Sequence, residues 1–537
     1  MRATFFGIEI GRTGLSLSQL GLDVTGHNIA NVDTKGYTRQ RIVSTAYDPF
    51  STIGRALPVE QALVGSGVRV KILDQIRSAY LDRRFRTENS TFSYWDKRAE
   101  SLRYVESFFD NVNEETSLNF SIARFFEAMK VLAEDPVEGA PRKLLQTAGQ
   151  DLVQQLNSVY DGLIELQEAQ NKAVEITVDE INRIAAEIVE LNKAIYGFEI
   201  TGHIANDLRD KRNLLLDELS TLVDIEYKEY PDGYSVSVGE RGNSFLEVSI
   251  GGRVLIDHDS RNLLGTRDDV PNPIDGEADI HVPVWLDRNG DPIVETDANG
   301  DEVFADLIIS GGELKAYMDM RDNNTIDRPG IPYYIEMLNN LARALVQEIN
   351  EVHRQGWTDP PVGISENYVD FFYYDEGDSL GIEQITAKNI RLSDKVLESE
   401  YNIACSTIQI VKQGSPEDLQ RGNNVNMNNL YALFLKKDIS LEDIGDGIAI
   451  GSFDGFVTSM RFDAGNSLNF AMKTADTSRT LTLAAENQRT SISGVSLDEE
   501  MTSLMKYQHA YSGAARVITA MDDALDRLIN GTGRVGL

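Results

Sequence analysis

The sequence has a single cysteine in 537 residues, Cys405. No intramolecular disulfide can form, and its apolar neighbours Ile403 and Ala404 mark a buried, inert thiol rather than a nucleophile. Histidine is nearly as scarce. The six are scattered at His27, His203, His258, His281, His353 and His509, and no two stand at metal-ligand spacing. No run approaches the ~18–20 apolar residues that span a bilayer, so no membrane insertion is expected. The N-terminus, Met1-Arg2-Ala3-Thr4-Phe5-Phe6, lacks the long apolar stretch of a cleavable secretory signal. Basic surplus is also missing. The formal net charge is −34, which argues against nucleic acid as a partner. The balance is uneven: through Arg103, 15 Lys and Arg face 10 Asp and Glu. There is no Walker loop, nucleophile elbow or dinucleotide fingerprint. Carboxylate pairs arise by chance among 85 acidic residues. No enzyme, cofactor or metal is expected.

What is present is periodicity. At this length several cores are expected. From Phe5 to Ile29 the apolar residues of a helix fall on two faces, Ile8, Leu15, Leu22 and Ile29 on one, Phe6, Ile10, Leu17, Leu20 and Val24 on the other. Gly7, Gly11, Gly14 and Gly21 lie mainly between them and permit close approach of another backbone. A helix apolar on two sides needs two partners, either as the central helix of a bundle or with one side on its own chain and the other on a neighbouring subunit. The stretch Asn28 to Arg41 then ends this helix and opens an extended segment, broken by Gly36, Pro49, Gly54, Pro58, Gly65 and Gly67.

Helical spacing returns from Ile72 to Leu222, clearest over Leu152–Tyr196, which reads as a long helical pair with coiled-coil character, with a turn at Asp135–Pro141 and a break at Gly197–Asn206. From Ile225 to Ile309 the period is two, as in Tyr234–Val238 and Phe245–Ile250, with an Asp232-Gly233 turn. Asp287-Arg288-Asn289-Gly290-Asp291 recurs ten residues on as Asp297-Ala298-Asn299-Gly300-Asp301. The spacing fits two hairpin turns and not an EF-hand calcium loop. Helices are expected at Gly311–Met320 and Tyr333–Val352, a mixed inserted domain from Gly356 to Ser452, and helix again from Asp463. The last helix opens with a capping box, Ser496 and Glu499. Leu497, Met501, Leu504, Gln508, Tyr511, Ala515, Ile518, Asp522, Leu525 and Ile529 alternate at four and three residues, a heptad seam.

The fold class expected is α+β and multidomain, with paired N- and C-terminal helices forming a coiled coil. The parts are an inner domain (1–70 with 495–537) and a long helical bundle (71–224 with 311–355 and 463–494). A β-rich part (225–310) and an inserted mixed or β outer domain (356–462) complete it.

The run Asn28-Ile29-Ala30-Asn31, then Thr34-Lys35-Gly36-Tyr37, resembles the N-terminal signature of the axial proteins of the bacterial flagellum, the rod, hook and hook-associated proteins. Lys35 stands where that family usually has proline. Thr38-Arg39-Gln40-Arg41, the run Ser493 to Glu500, Tyr507 to Tyr511, and Asn206 to Arg212 are similar to hook-associated members rather than to hook or distal-rod proteins.

The resemblance implies a structural subunit of the hook–filament junction, located in the flagellum and secreted, extracellular or periplasmic. It would leave the cell unfolded through the flagellar type III apparatus and assemble as a homo-oligomeric ring. Hook protein would lie below and a second hook-associated protein above, with an export chaperone on the C-terminal helix before assembly. The assembly residues are then Ile8, Leu15, Leu17, Leu22, Val24, Asn28, Ile29, Asn31, Gly36, Tyr37, Arg39 and Arg41, the two arginines reaching acidic groups of an adjacent subunit. On the last helix they are Leu497, Met501, Leu504, Tyr511, Ala515, Ile518, Leu525 and Ile529, which would also meet the chaperone. The competing readings are a hook or distal-rod protein and an intracellular coiled-coil scaffold.

Overall fold

A computed structural model describes residues 6–46, 67–109, 117–200, 204–231, 244–274, 276, 278–296, 300–360, 364–373, 382–410, 422–437, 439–440 and 450–531. The expected strand Tyr234–Val238, the Asp232-Gly233 turn and the breakers between Pro49 and Gly65 lie outside these residues. The chain is α+β and divides into two compact units. Unit 1 comprises residues 1–90, 180–263 and 478–537; unit 2 comprises 91–179 and 264–477.

Unit 1 holds α1 (Phe6–Ala30), the hairpin of β1 (Gln40–Ala46) and β2 (Val68–Gln75), and the start of α2 (Ala79–Phe109). It also holds the end of α4 (Gly139–Glu199), α5 (Asn206–Leu222) and the end of α10 (Phe453–Ser493). The final helix is α11 (Leu497–Gly531). A four-stranded antiparallel meander runs β3 (Glu226–Pro231), β4 (Ser244–Ile250), β5 (Arg253–Asp257) and β6 (Ser260–Arg261). Alternation in β4 buries Leu246, Val248 and Ile250, as its period-two pattern requires. Behind the terminal helices the body is tied by arginines. Asp217 receives Nε of Arg86 (2.8 Å) and Nη1 of Arg489 (2.6 Å), and these guanidinium groups lie over the rings of Tyr227 and Phe85.

Unit 2 is built on α3 (Leu118–Glu134), most of α4, α6 (Gly312–Asp322), α7 (Ile331–His353) and α9 (Val425–Leu435). Ser117 caps α3 by accepting from the Phe120 N–H. Helix α7 is amphipathic and buried over most of its surface, and Leu338, Leu341, Leu345 and Ile349 on its apolar face are fully buried. Phe125, Phe126, Phe371, Phe372 and Phe453 complete an aromatic core.

The first Asn-Gly repeat is a tight turn. Asp287 accepts from the N–H groups of Asn289 and Asp291, and Gly290 takes φ +92°. It brings Leu286 against Pro292. The second repeat lies between β7 (Val294–Thr296) and β8 (Glu302–Phe304), which pair antiparallel; its residues 297–299 lie outside the described set. Among the described residues no group of three His, Cys, Asp or Glu is placed to hold a metal ion.

The stretch read as an inserted mixed domain belongs in part to this core. Among the described residues between Trp357 and Ile410 there is little regular structure, only α8 (Asp394–Glu398), short turns and isolated bridges. Polar side chains on the surrounding helices bond its backbone instead. Asn350 accepts from the N–H groups of Phe371 and Phe372 and donates to Phe372 O. Arg142 donates to Ile403 O, Gln146 to Val396 O and Asn426 to Ala404 O. His353 bridges two segments, with Nδ1 2.6 Å from Val369 O and Nε2 accepting from Ala404 N at 2.9 Å. That pattern requires the neutral ring, and burial pushes its pKa down to about 4.

Candidate assembly surface: the terminal helix pair and its joint

Helices α1 and α11 pack antiparallel along their length. The contact on α1 is made by its smallest residues. A Cβ added at Gly7 would meet Met521 at 2.7 Å, at Gly11 Ile518 at 2.7 Å, at Gly14 Ala514 at 3.6 Å and at Gly21 the Tyr507 ring at 2.5 Å. Gly7, Gly11, Gly14, Ser18, Gly21, Thr25 and Asn28 are spaced alternately by four and three, the pattern of a coiled-coil seam. Gly11, Ser18, Gly21, Thr25 and Asn28 are buried. The apolar residues occupy the columns on either side: Ile8, Leu15, Leu22 and Ile29 on one, Ile10, Leu17 and Val24 on the other, all half-buried. The usual arrangement, apolar seam and polar flanks, is inverted.

On α11 the sequence-derived seam is half right. Leu504, Tyr511, Ile518 and Leu525 lie in one column of the contact, although Tyr511 is 38 % exposed. The second column sits one residue earlier than expected, at Glu500, Tyr507, Ala514 and Met521, in place of Met501, Gln508, Ala515 and Asp522. Leu497, Met501 and Ile529 are about half to two-thirds exposed. The shift has a physical origin: a glycine column admits a whole tyrosine ring or a paired carboxylate, so the facing residues need not be aliphatic. The missed signal was the 4-3 spacing of the small residues on α1.

The joint forms where α1 ends, and three motif blocks far apart in sequence meet there. Asn28 is buried. Its Oδ1 accepts from the Tyr37 hydroxyl (2.8 Å) and Gln40 N (3.1 Å), while Nδ2 donates to Gln40 O (2.9 Å) and to Glu500 (3.1 Å). Asn206 donates to the Gln40 side chain, which in turn donates to Asp207. Asp210 accepts from Thr38 N and Gln75 Nε2, each at 2.9 Å. Burial pushes Asp210 up to about 6, against the lowering pull of the Thr38 bonds and Arg77. Burial, with the nearby carboxylates of Asp207, Asp210 and Glu500, also raises the Tyr37 hydroxyl, which stays a donor. Gly36 adopts φ +80° and faces Leu214, a backbone that L side chains resist. Lys35 is exposed and Asn31 half-buried, folded back on His27 O.

Arg39 departs from the expectation that it serves a neighbour. Its Nε donates to Glu500 (2.7 Å), Nη1 to Glu499 (2.5 Å), and its N–H to Ser493 O (2.8 Å), all within one chain. Arg41 also has an acidic partner in its own chain, Asp74 across the hairpin at 3.2 Å, but is largely exposed.

Comparison with known proteins follows the same map. Residues 102–363 match the model of the flagellar hook-associated protein FlgK helical domain. Residues 8–38 match the flagella basal body rod protein model and 486–531 the flagellar basal body rod FlgEFG protein C-terminal model. Over 538 aligned residues the chain is 29 % identical to flagellar hook-associated protein 1 of Bacillus subtilis (strain 168), covering 99 % of both chains. Over its whole length the chain is similar to flagellar hook-associated protein 1. It is also 23 % identical to the Escherichia coli (strain K12) protein of that name, over 97 % of this chain and 99 % of the relative. The flagellar hook junction protein FlgK from Burkholderia pseudomallei shares the fold, with a TM-score of 0.53 at 12 % identity, over 76 % of this chain and 100 % of that one. The two rod-protein matches coincide with the two partners of the terminal pair. Hook-associated proteins are components of a multi-subunit flagellar assembly. No described helix is long and apolar enough to cross a membrane.

Proposed function

We propose that the chain is a structural subunit of the hook–filament junction and works by binding rather than turnover. One observation carries this reading: the α1–α11 seam is filled by small residues, and the apolar columns beside it are left half-exposed. Such columns are costly in water and are buried when copies pack side by side. The occupant is a second copy of this chain, repeated around a ring. Continuity of the columns with the intrachain seam supports that assignment, and so do the rod-protein likenesses of both helices.

In this reading the subunit leaves the cell through the flagellar type III apparatus. An export chaperone covers the exposed face of α11, with Leu497, Met501, Met505 and Ile529, until assembly. Hook protein lies below the ring and a second hook-associated protein above. Arg41 and the turn Asn31–Tyr37 face the neighbouring copy, while Arg39 holds the joint from within.

Deletion of the gene tests the reading. Hooks without filaments, with monomeric flagellin in the medium and rescue by the intact chain, are expected. Filaments of normal number on the deletion strain would overturn it, and a protein found only inside the cell would favour the scaffold reading.

A further inference from the structure

A seam of small residues holds two helices close but does not say where along each other they stop. Gly7, Gly14 and Gly21 present the same profile every seven residues, and a slide of one heptad, roughly 10 Å, exchanges one glycine for another. The face of α11 is nearly as permissive: Tyr507 fits over Gly14 as it fits over Gly21. Ser18, the buried polar residue midway, is satisfied within its own helix by Gly14 O and discriminates nothing. The register therefore has to be specified elsewhere.

We infer that the buried Asn28–Glu500–Arg39 cluster is a register pin for the terminal pair. Glu500 is 3 % exposed and is the one carboxylate placed in the seam among the described residues. Its two oxygens take Asn28 Nδ2 and Arg39 Nε, and Asn28 is in turn saturated by Tyr37 and Gln40. A slide one way buries Glu500 against Gly21, where it has no donor. A slide the other way places Tyr507 at Asn28, takes Glu500 from Arg39 Nε and leaves Asn28 Nδ2, which keeps only Gln40 O, with one N–H unpaired. Both leave a buried polar group unpaired, which is why a single polar residue at a seam position fixes register. The pin also ties the seam to the chain on both sides, since Arg39 N–H bonds the carbonyl of Ser493, the last residue of α10. It thereby decides which residues of α1 and α11 stand together in each apolar column. The inference does not depend on the function proposed above.

Cysteine pairs in the full-length chain read the register. A Cβ at Gly14 lies 3.6 Å from that of Ala514, within disulfide range, so G14C/A514C reports the native register. G14C/Y507C and G14C/M521C report slides of one heptad either way. Cys405 is buried and does not compete. With the pin intact, only the first pair should oxidise rapidly. With Glu500→Leu, the first should lose at least half its yield and one of the others should rise to a comparable level, at unchanged helix content. Asn28→Ala should do the same, while Glu500→Gln, which keeps the shape and an acceptor, should retain most of the native bond. Exclusive G14C/A514C bonding in both Glu500→Leu and Asn28→Ala would overturn the inference. So would loss of all three cross-links, which would make the cluster the source of pairing rather than of register, or failure of the native pair to form with the pin intact.

Discussion

The core of unit 2 and the terminal pair of unit 1 are both helical, yet they are finished to different degrees. In unit 2, α7 is buried over most of its surface, with Gln347 and Glu351 left exposed, and the described backbone of the stretch 357–410 is bonded to side chains of the helices around it. In the terminal pair the seam is closed and the apolar flanks are not. A region that completes its own burial is stable alone; a region that does not draws its stability from what it joins. In the proposed function, the difference separates the part of the molecule that folds on its own core from the part that joins its neighbours.

The largest effect should come from the finished side. Phe126 is fully buried and stacks on Phe453, and Phe126→Ala should cost about 3–5 kcal/mol in urea unfolding of the full chain. An effect below about 1 kcal/mol would mean that the core is looser than its burial implies.

His353 gives the same core a pH limit. Its folded pKa, near 4, lies below the ordinary 6.5, so the folded state disfavours the proton that the unfolded state accepts. The stability linked to it is fully present above pH 6.5 and is lost as pH falls toward 4, about 3 kcal/mol across that window. His353→Gln should flatten the difference in urea midpoint between pH 7 and 4.5 relative to the parent chain. An unchanged pH slope would remove His353 from the account.

Damage to the seam should be of intermediate size and confined to unit 1. Gly21→Leu drives a side chain into the Tyr507 ring and should cost the pair about 1–3 kcal/mol, the range for overpacking. Proteolysis should then reach α11 while the thermal transition of unit 2 stays in place. The smallest effect on stability belongs to the flanks. Leu22→Asp changes a half-buried residue beside the seam and should shift the unfolding midpoint little, yet abolish filament growth in a complemented deletion strain. Leu504→Asp, within the seam itself, should fail in both respects.

How much of this is legible in the sequence depends on what does the holding. Strong apolar periodicity gave α7, the extent of α11 and helix at α4, where one continuous helix stands in place of the expected pair, and the first Asn-Gly run gave its turn. The terminal pairing was also readable, but its face was not, because the seam is written in glycine, serine and threonine and the apolar residues that catch the eye are its flanks. The stretch 357–410 was opaque for a related reason: Asn350, His353 and Arg142 hold it through side-chain bonds to backbone, which impose no period on it. Three of the four boundaries between units fall within continuous helices, at 90/91, 179/180 and 477/478, where composition does not change. The joint was half visible. Its blocks stood out one by one, but only folding brings Asn28, Asp210 and Glu500 together.

Amide hydrogen exchange, compared between the free chain and the same chain in sheared flagella, tests the central claim most directly. Unfinished flanks predict protection in α1 and α11 that rises by orders of magnitude on assembly, while α7 is equally protected in both states. Full protection of α1 and α11 in the free chain, unchanged by assembly, would contradict it.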